Sequence, residues 1–176
     1  MTVERTAQLE ETAADAALVA FVTEHYDRLL RLARLICRDA ADAADAVPLG
    51  LEQAWRKRSA LRDEARLRPW LDRIMVREAM RVSKSRRSWL SRLFPTGVKW
   101  IEPGDRRESE PSSFAALRDA FGRLSPEQRA VVALHMHAGY TVAETAALVG
   151  APDETVRSRL RLAKQRLRRE LEETRP

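Results

Sequence analysis

A single cysteine, six glycines and the lack of any long apolar run set the first limits on this 176-residue chain. Cys37 alone can neither close an intrachain disulfide nor supply a thiolate cluster for zinc, and this fits a reducing cytoplasm. Nothing approaches the roughly 20 apolar residues of a membrane span. The acidic start, with Glu4, Glu10, Glu11 and Asp15, lacks the basic-then-apolar order of a signal peptide. There is no phosphate-cradling Gly-Lys-Ser/Thr loop, no glycine fingerprint for a dinucleotide and no nucleophile elbow, so the sequence points to neither an enzyme nor a cofactor. His135 and His137 stand two apart, on different faces of a helix, and His25 is remote, an arrangement that argues against a metal site. Scarce glycine, few β-branched alternations and abundant Ala, Leu, Arg and Glu predict an all-α protein.

What is present is localised positive charge. Lys and Arg number 32 against 26 Asp and Glu, for a formal charge of +6. The stretch Arg56 to Lys99 holds fourteen basic residues and four acids. A concentration of one sign suits a polyanionic partner better than a solvated surface of mixed sign.

Apolar spacing predicts a helix over about 16–38, its core face carrying Val22, Tyr26, Leu29, Ala33, Ile36 and Cys37. Asp39 is placed to cap a second helix that continues through Leu51 to Trp55. Val47-Pro48 should kink or restart it, since an internal proline removes a hydrogen bond and costs about 3 kcal/mol, and Gly50 weakens the same stretch. Residues 59–68 read as a polar loop. A third helix follows, with Pro69 in its first turn, running to about Ser85 on a stripe of Leu71, Ile74, Met75, Ala79 and Val82. From Ser91 to Ser113 prolines, glycines and a charge run mark a linker.

Beyond it, Phe114, Leu117, Phe121 and Leu124 fall at helical steps. Ser125-Pro-Glu-Gln and Thr141-Val-Ala-Glu are capping boxes that open new helices, with breaks at Gly139 and Gly150. A last helix buries Val156, Leu160, Ala163, Leu167 and Leu171. The boundaries expected are therefore an acidic extension over 1–16, a helical domain over 17–90, a flexible linker over 91–112, a second helical domain over 113–172 and a tail over 173–176.

A short helix, a tight turn at Gly150 and a longer basic helix form a helix-turn-helix, whose second member can enter the major groove. Arg157, Ser158, Arg161 and Lys164 lie away from its apolar seam. Arginine forks suit guanine edges, while basic neighbours such as Arg159 and Lys164 suit phosphates. On the third helix Arg73, Arg77, Arg81 and Lys84, spaced by four, four and three, make a second positive stripe, extended by Arg86, Arg87 and Trp89. Trp70 at its start can pack in the core or stack on an unpaired base.

These residues carry a resemblance. Leu124-Ser-Pro-Glu-Gln-Arg-Ala-Val-Val-Ala-Leu, Tyr140-Thr-Val-Ala-Glu-Thr-Ala-Ala-Leu-Val-Gly and Thr155-Val-Arg-Ser-Arg-Leu resemble region 4 of sigma factors of the extracytoplasmic-function group. Tyr26, Leu32-Ala33-Arg34, Asp39, Asp42-Ala-Ala-Asp45, Ala54-Trp55 and Trp70-Leu71 with Arg73-Ile74 are similar to region 2. The resemblance implies a transcription initiation factor that binds core RNA polymerase, through the β′ coiled coil and the β flap, and promoter DNA. An antisigma factor is a further partner of this kind of protein. It also implies that Asp42, Asp45, Leu51 and Trp55 face polymerase, and that Arg66, Arg68, Trp70, Arg73, Arg77, Arg81 and Lys84 meet the melted −10 strand. Thr155, Arg157, Ser158, Arg159, Arg161 and Lys164 would read the −35 duplex.

The chain departs from the family pattern at several of these positions. Ala44, Pro48 and Leu49 stand where an acid, a Gln and an acid are usual on the polymerase-binding helix, Arg77 and Arg81 replace a common Asn and Asp, and Leu162 replaces a common Arg. Either a divergent sigma factor with altered promoter preference or a derivative whose polymerase contact has changed is expected. The rival reading is a helix-turn-helix regulator that binds duplex DNA without serving polymerase.

Overall fold

The computed structural model describes the backbone of residues 2–37, 39–61, 63–93 and 112–173, with side chains described for most of these. The segment expected to be a linker falls largely outside the described residues, as does the extreme tail. Every regular element among the described residues is helical. In chain order these are α1 (Thr2–Cys37), α2 (Ala40–Arg56), two 3₁₀ turns (Arg58–Ala60 and Glu64–Arg66), α3 (Leu67–Leu93), α4 (Ser112–Gly122), α5 (Pro126–Val132), α6 (Val142–Val149) and α7 (Asp153–Glu173). A π-helical turn, Ala133–His137, continues α5.

Helices α1, α2 and α3 pack on one another. From α1, Leu29, Leu32, Ala33, Ile36 and Cys37 are buried at the spacing the sequence predicts, but Tyr26, assigned above to the core, is 43% exposed. Helix α1 also begins far earlier than expected, at Thr2.

Asp39 caps α2, accepting from the Ala41 amide at 2.8 Å. Of the two outcomes expected at Val47-Pro48, the restart does not occur: α2 runs unbroken through Pro48. The physical reason lies in which side Pro48 occupies. It and Ala44, whose carbonyl the ring displaces from a hydrogen bond, are exposed, while Ala43, Ala46, Val47 and Gly50 are buried on the other side and hold the helix down. Nor is Gly50 a weakness here. A Cβ at this position would lie 2.9 Å from the Met75 Sδ and Cε atoms, so the missing side chain is what lets α2 approach α3.

Helix α3 starts two residues before Pro69 and passes beyond Ser85 to Leu93, longer than expected at both ends. In the carboxy-terminal unit both capping boxes form, Ser125 with Gln128 and Thr141 with Glu144. Two positive-φ glycines, Gly139 at 81° and Gly150 at 68°, make the bends on either side of α6. Leu124, Val131, Val132, Ala146, Val156, Leu160 and Ala163 form the core of this unit. Leu117, one of the apolar residues at helical steps in α4, is 43% exposed.

The two units are not separate bodies. Ala130, Ala133, Leu134 and Leu148 of the second are buried in the same apolar cluster as Leu29, Ile36, Leu71 and Met75 of the first. Polar bonds cross beside them. Arg129, 4% exposed, donates from Nε to the Ile36 carbonyl at 2.7 Å and from Nη2 to Ser83 Oγ at 2.9 Å.

Candidate nucleic-acid interface

The turn at Gly150 directs α7 outward, and Val156, Leu160 and Ala163, at steps of four and three, anchor it. Anchoring one side leaves the other free. Arg157, Arg161 and Lys164 are exposed, and together with Leu160, Gln165 and Arg168 they line a shallow open cleft. Thr155, Ser158 and Arg159 are half-buried or exposed at its edge. Arg157 has Glu154 for a neighbour at 3.8 Å, too long and too exposed to compete with a polyanion. Gln165 and Arg168, not singled out from the sequence, join this cleft because they lie one turn beyond Arg161 and Lys164.

Helix α3 builds a second cleft. Trp70, Arg73, Arg77, Ile74 and Glu78 line it with Gln53, Lys57 and Ala60, residues the sequence pattern did not single out. Lys57 is the second residue of the basic run that begins at Arg56, and that was the available signal. Trp70 is half-buried and packs against the core, the first of the two roles allowed for it. The remaining members of the α3 stripe have partners: Arg81 bonds Glu78 at 2.7 Å, and Arg66 lies 3.5 Å from Asp63. Arg68 donates to the Ala138 carbonyl at 3.3 Å with its guanidinium 5.7 Å from the Tyr140 ring centroid. Lys84 pairs with Glu127 at 2.8 Å. Arg86 turns back onto Asp39 and Asp42, and the side chains of Arg87 and Trp89 lie outside the described residues.

The four residues expected to face polymerase do not share one surface. Asp42 is turned inward, 7% exposed, and accepts from Arg86 Nη1 at 2.8 Å. Its burial raises its pKa, partly offset by the Arg86 bond and charge. Held by Arg86 of α3, Asp42 lies against that helix and off the exposed strip of α2. Leu51 is half-buried against the core. Asp45 and Trp55 are exposed, the latter under the Arg58 guanidinium at 4.8 Å. The outer strip of α2 is therefore Ala41, Ala44, Asp45, Pro48, Glu52 and Trp55, and two of the departures from the family pattern, Ala44 and Pro48, sit on it.

Between the units, Asp72 is wholly buried. Its Oδ2 accepts from Arg28 Nη1 at 2.8 Å and from the Tyr140 hydroxyl at 2.7 Å. Burial, and then the bond to Asp72, push the Tyr140 phenol well above its ordinary value, so it stays a donor. Burial works against the charge of Glu127, but the bonds from Lys84, its own amide and Ser125 outweigh it and hold the carboxyl at about 2. Burial, reinforced by Asp42, pushes the Cys37 thiol up to about 12, so it is no thiolate. No cluster of three potential metal ligands occurs among the described residues.

Both units match models of one family. The description "Sigma-70 region 2" matches residues 21–89 and "Sigma-70, region 4" matches residues 114–167. The extracytoplasmic-function RNA polymerase sigma factor SigM of Mycobacterium tuberculosis is 36% identical over 147 residues, covering 82% of this chain and 72% of that protein. This chain belongs to the sigma-70 family, in its extracytoplasmic-function group. SigL of the same species is 32% identical over 92% of this sigma factor and 93% of its own length. The sigma factor RpoE of Bartonella quintana, solved with the antisigma factor NepR, shares the fold at a TM-score of 0.68, with 22% identity, 87% of this chain and 97% of that one covered. The chain is a promoter-directing subunit of transcription initiation, with core RNA polymerase and promoter DNA as its partners. A match to region 2 as well as region 4 sets aside the regulator that binds duplex alone.

Proposed function

We propose a division of this sigma factor's work among its faces. Helix α7 reads the −35 duplex through Arg157, Ser158 and Arg161, with Thr155, Arg159 and Lys164 seating it on phosphates. The cleft of Trp70, Arg73 and Arg77, with Arg66, Arg68, Arg81 and Lys84 along the same helix and the turn before it, receives the melted −10 strand. The outer strip of α2, carrying Asp45, Glu52 and Trp55, docks on the β′ coiled coil, and the carboxy-terminal unit meets the β flap. The observation that carries this reading is the pair of exposed basic clefts, one on a helix projected by a helix-turn-helix and one beside a tryptophan.

The chain contributes no catalytic group on this reading; polymerase performs the chemistry while the sigma factor supplies binding and position. It acts in the cytoplasm, where polymerase and the chromosome are, and an antisigma partner fits the company in which its relative of the same fold was solved.

The test is reconstitution. Purified chain with core polymerase should form a holoenzyme that initiates from a distinct subset of a promoter library. Initiation no more selective than that of core alone would overturn the assignment of both clefts.

A further inference from the structure

One large apolar side chain of α7 faces water. Among the described residues, Leu162, 46% exposed, is the only large apolar residue of this helix that is exposed. It neither joins nor flanks either buried apolar cluster. Every other exposed side chain described on α7 is charged or is Gln165. Helix phase fixes its direction. At about 100° per residue, Leu162 points about 130° away from the mean direction of the buried Val156, Leu160 and Ala163, and Arg161 points about as far to the other side. The two side chains therefore straddle the outermost line of the helix. Leu162 stands one turn past Ser158, and Arg161 lies in the cleft with Arg157, Lys164 and Arg168.

We propose that Leu162 is a specificity-determining residue of this sigma factor, seated on the C5 methyl group of a thymine in the −35 duplex, beside the base pair met by Arg161. The inference deepens the assignment of α7 to the −35 element and rests on it.

A lone exposed leucine is ordinary on a protein surface; this one is set apart by its place on the outward face of the helix that a helix-turn-helix projects. Chemistry then selects the base. Leucine offers neither donor nor acceptor, and of the groups that base pairs present in the major groove only the thymine methyl is apolar. Guanine, adenine and cytosine present ring nitrogen, carbonyl or amino groups there, which lose their water under an isobutyl group and gain no bond in return. Methyl against isobutyl instead removes apolar surface from water on both sides. The neighbouring cations hold the helix to the phosphates, so Leu162 has only to discriminate. An arginine, common in the group at this position, would favour guanine; the leucine changes which base is preferred.

The test removes one methyl group at a time. Holoenzyme made from the full chain and core polymerase selects promoters from a duplex library randomised over the upstream element. The recovered promoters are then resynthesised with deoxyuracil in place of each upstream thymine in turn. At one thymine the exchange should weaken wild-type binding by about fourfold, the effect of burying one methyl group. Leu162→Ala holoenzyme should bind the unmodified promoter less tightly and be indifferent to that exchange. Leu162→Met, which keeps an apolar side chain of similar reach, should restore the dependence. Because the residue is exposed, circular dichroism should show the helicity of both variants retained.

Recovered promoters in which no upstream thymine depends on its methyl group would overturn the inference, as would a dependence undiminished in Leu162→Ala. Loss of core-polymerase affinity in Leu162→Ala with base preference unchanged would assign the leucine to a protein partner and overturn it as well. If wild-type holoenzyme recovers no distinct promoters, the sigma reading itself falls; selective recovery without the methyl effect removes the role of Leu162 alone.

Discussion

A guanidinium is worth most where little competes for it. Arg157 and Arg161 project from α7 into the open cleft, Arg157 with only the exposed Glu154 beside it at 3.8 Å, and such a group can bond the O6 and N7 edge of a guanine. Arg161→Ala should weaken binding to the cognate −35 duplex by about 1–3 kcal/mol and leave scrambled duplex nearly unaffected, as measured by competition titration. An equal loss on every sequence would mark a phosphate contact instead. Asp42 shows the opposite lesson. The resemblance to region 2 implies that it faces polymerase, yet it is buried and engaged by Arg86 from α3. The difference is one of helix phase, which the neighbours across the interface set.

Local chemistry predicted elements well wherever the cause was local. Asp39, Ser125, Thr141 and Gly150 do at the helix ends what their side chains or backbone freedom suggest. Pro48 misled because its cost was legible and its compensation was not: the buried side of α2 retains Ala43, Ala46, Val47 and Gly50 in contact with neighbouring helices. A proline in a helix interior is roughly 3 kcal/mol worse than alanine. With the ring on the exposed strip and the helix already continuous, Pro48→Gln should raise stability to urea by about 1–3 kcal/mol, with duplex affinity of α7 unchanged. No gain in stability would mean that the Ala44 carbonyl and the proline ring are already accommodated without cost. The same variant restores the usual family residue on the docking strip, so core-polymerase affinity should rise with it.

At the scale of the whole molecule, the packing of the two units on each other carries a pH signature. Glu127 is held at about 2, against an ordinary value of 4.5. A carboxyl whose folded pKa lies below its unfolded one stabilises the fold fully above the unfolded value, and loses that contribution as pH falls toward the folded one. Lys84→Met should therefore be less stable than wild type near pH 6, and the gap should close between about pH 4.5 and 2, as read by urea unfolding at successive pH values. A gap independent of pH would mean that Lys84 acts through packing of its stem. Asp42 is shifted the other way and opposes this trend, but equally in both proteins.

By itself the sequence determined the helices, their caps and bends, the two basic stripes and the family, because each of these depends on residues within a turn or two of one another. Only tertiary structure decided that the two halves share a core, that Asp42 and Asp72 are buried, that Gly50 is a point of close approach and that Tyr140 bonds a carboxylate 68 positions away. Those facts depend on which distant surfaces meet, and many sequences with the same local periodicity would bring different surfaces together.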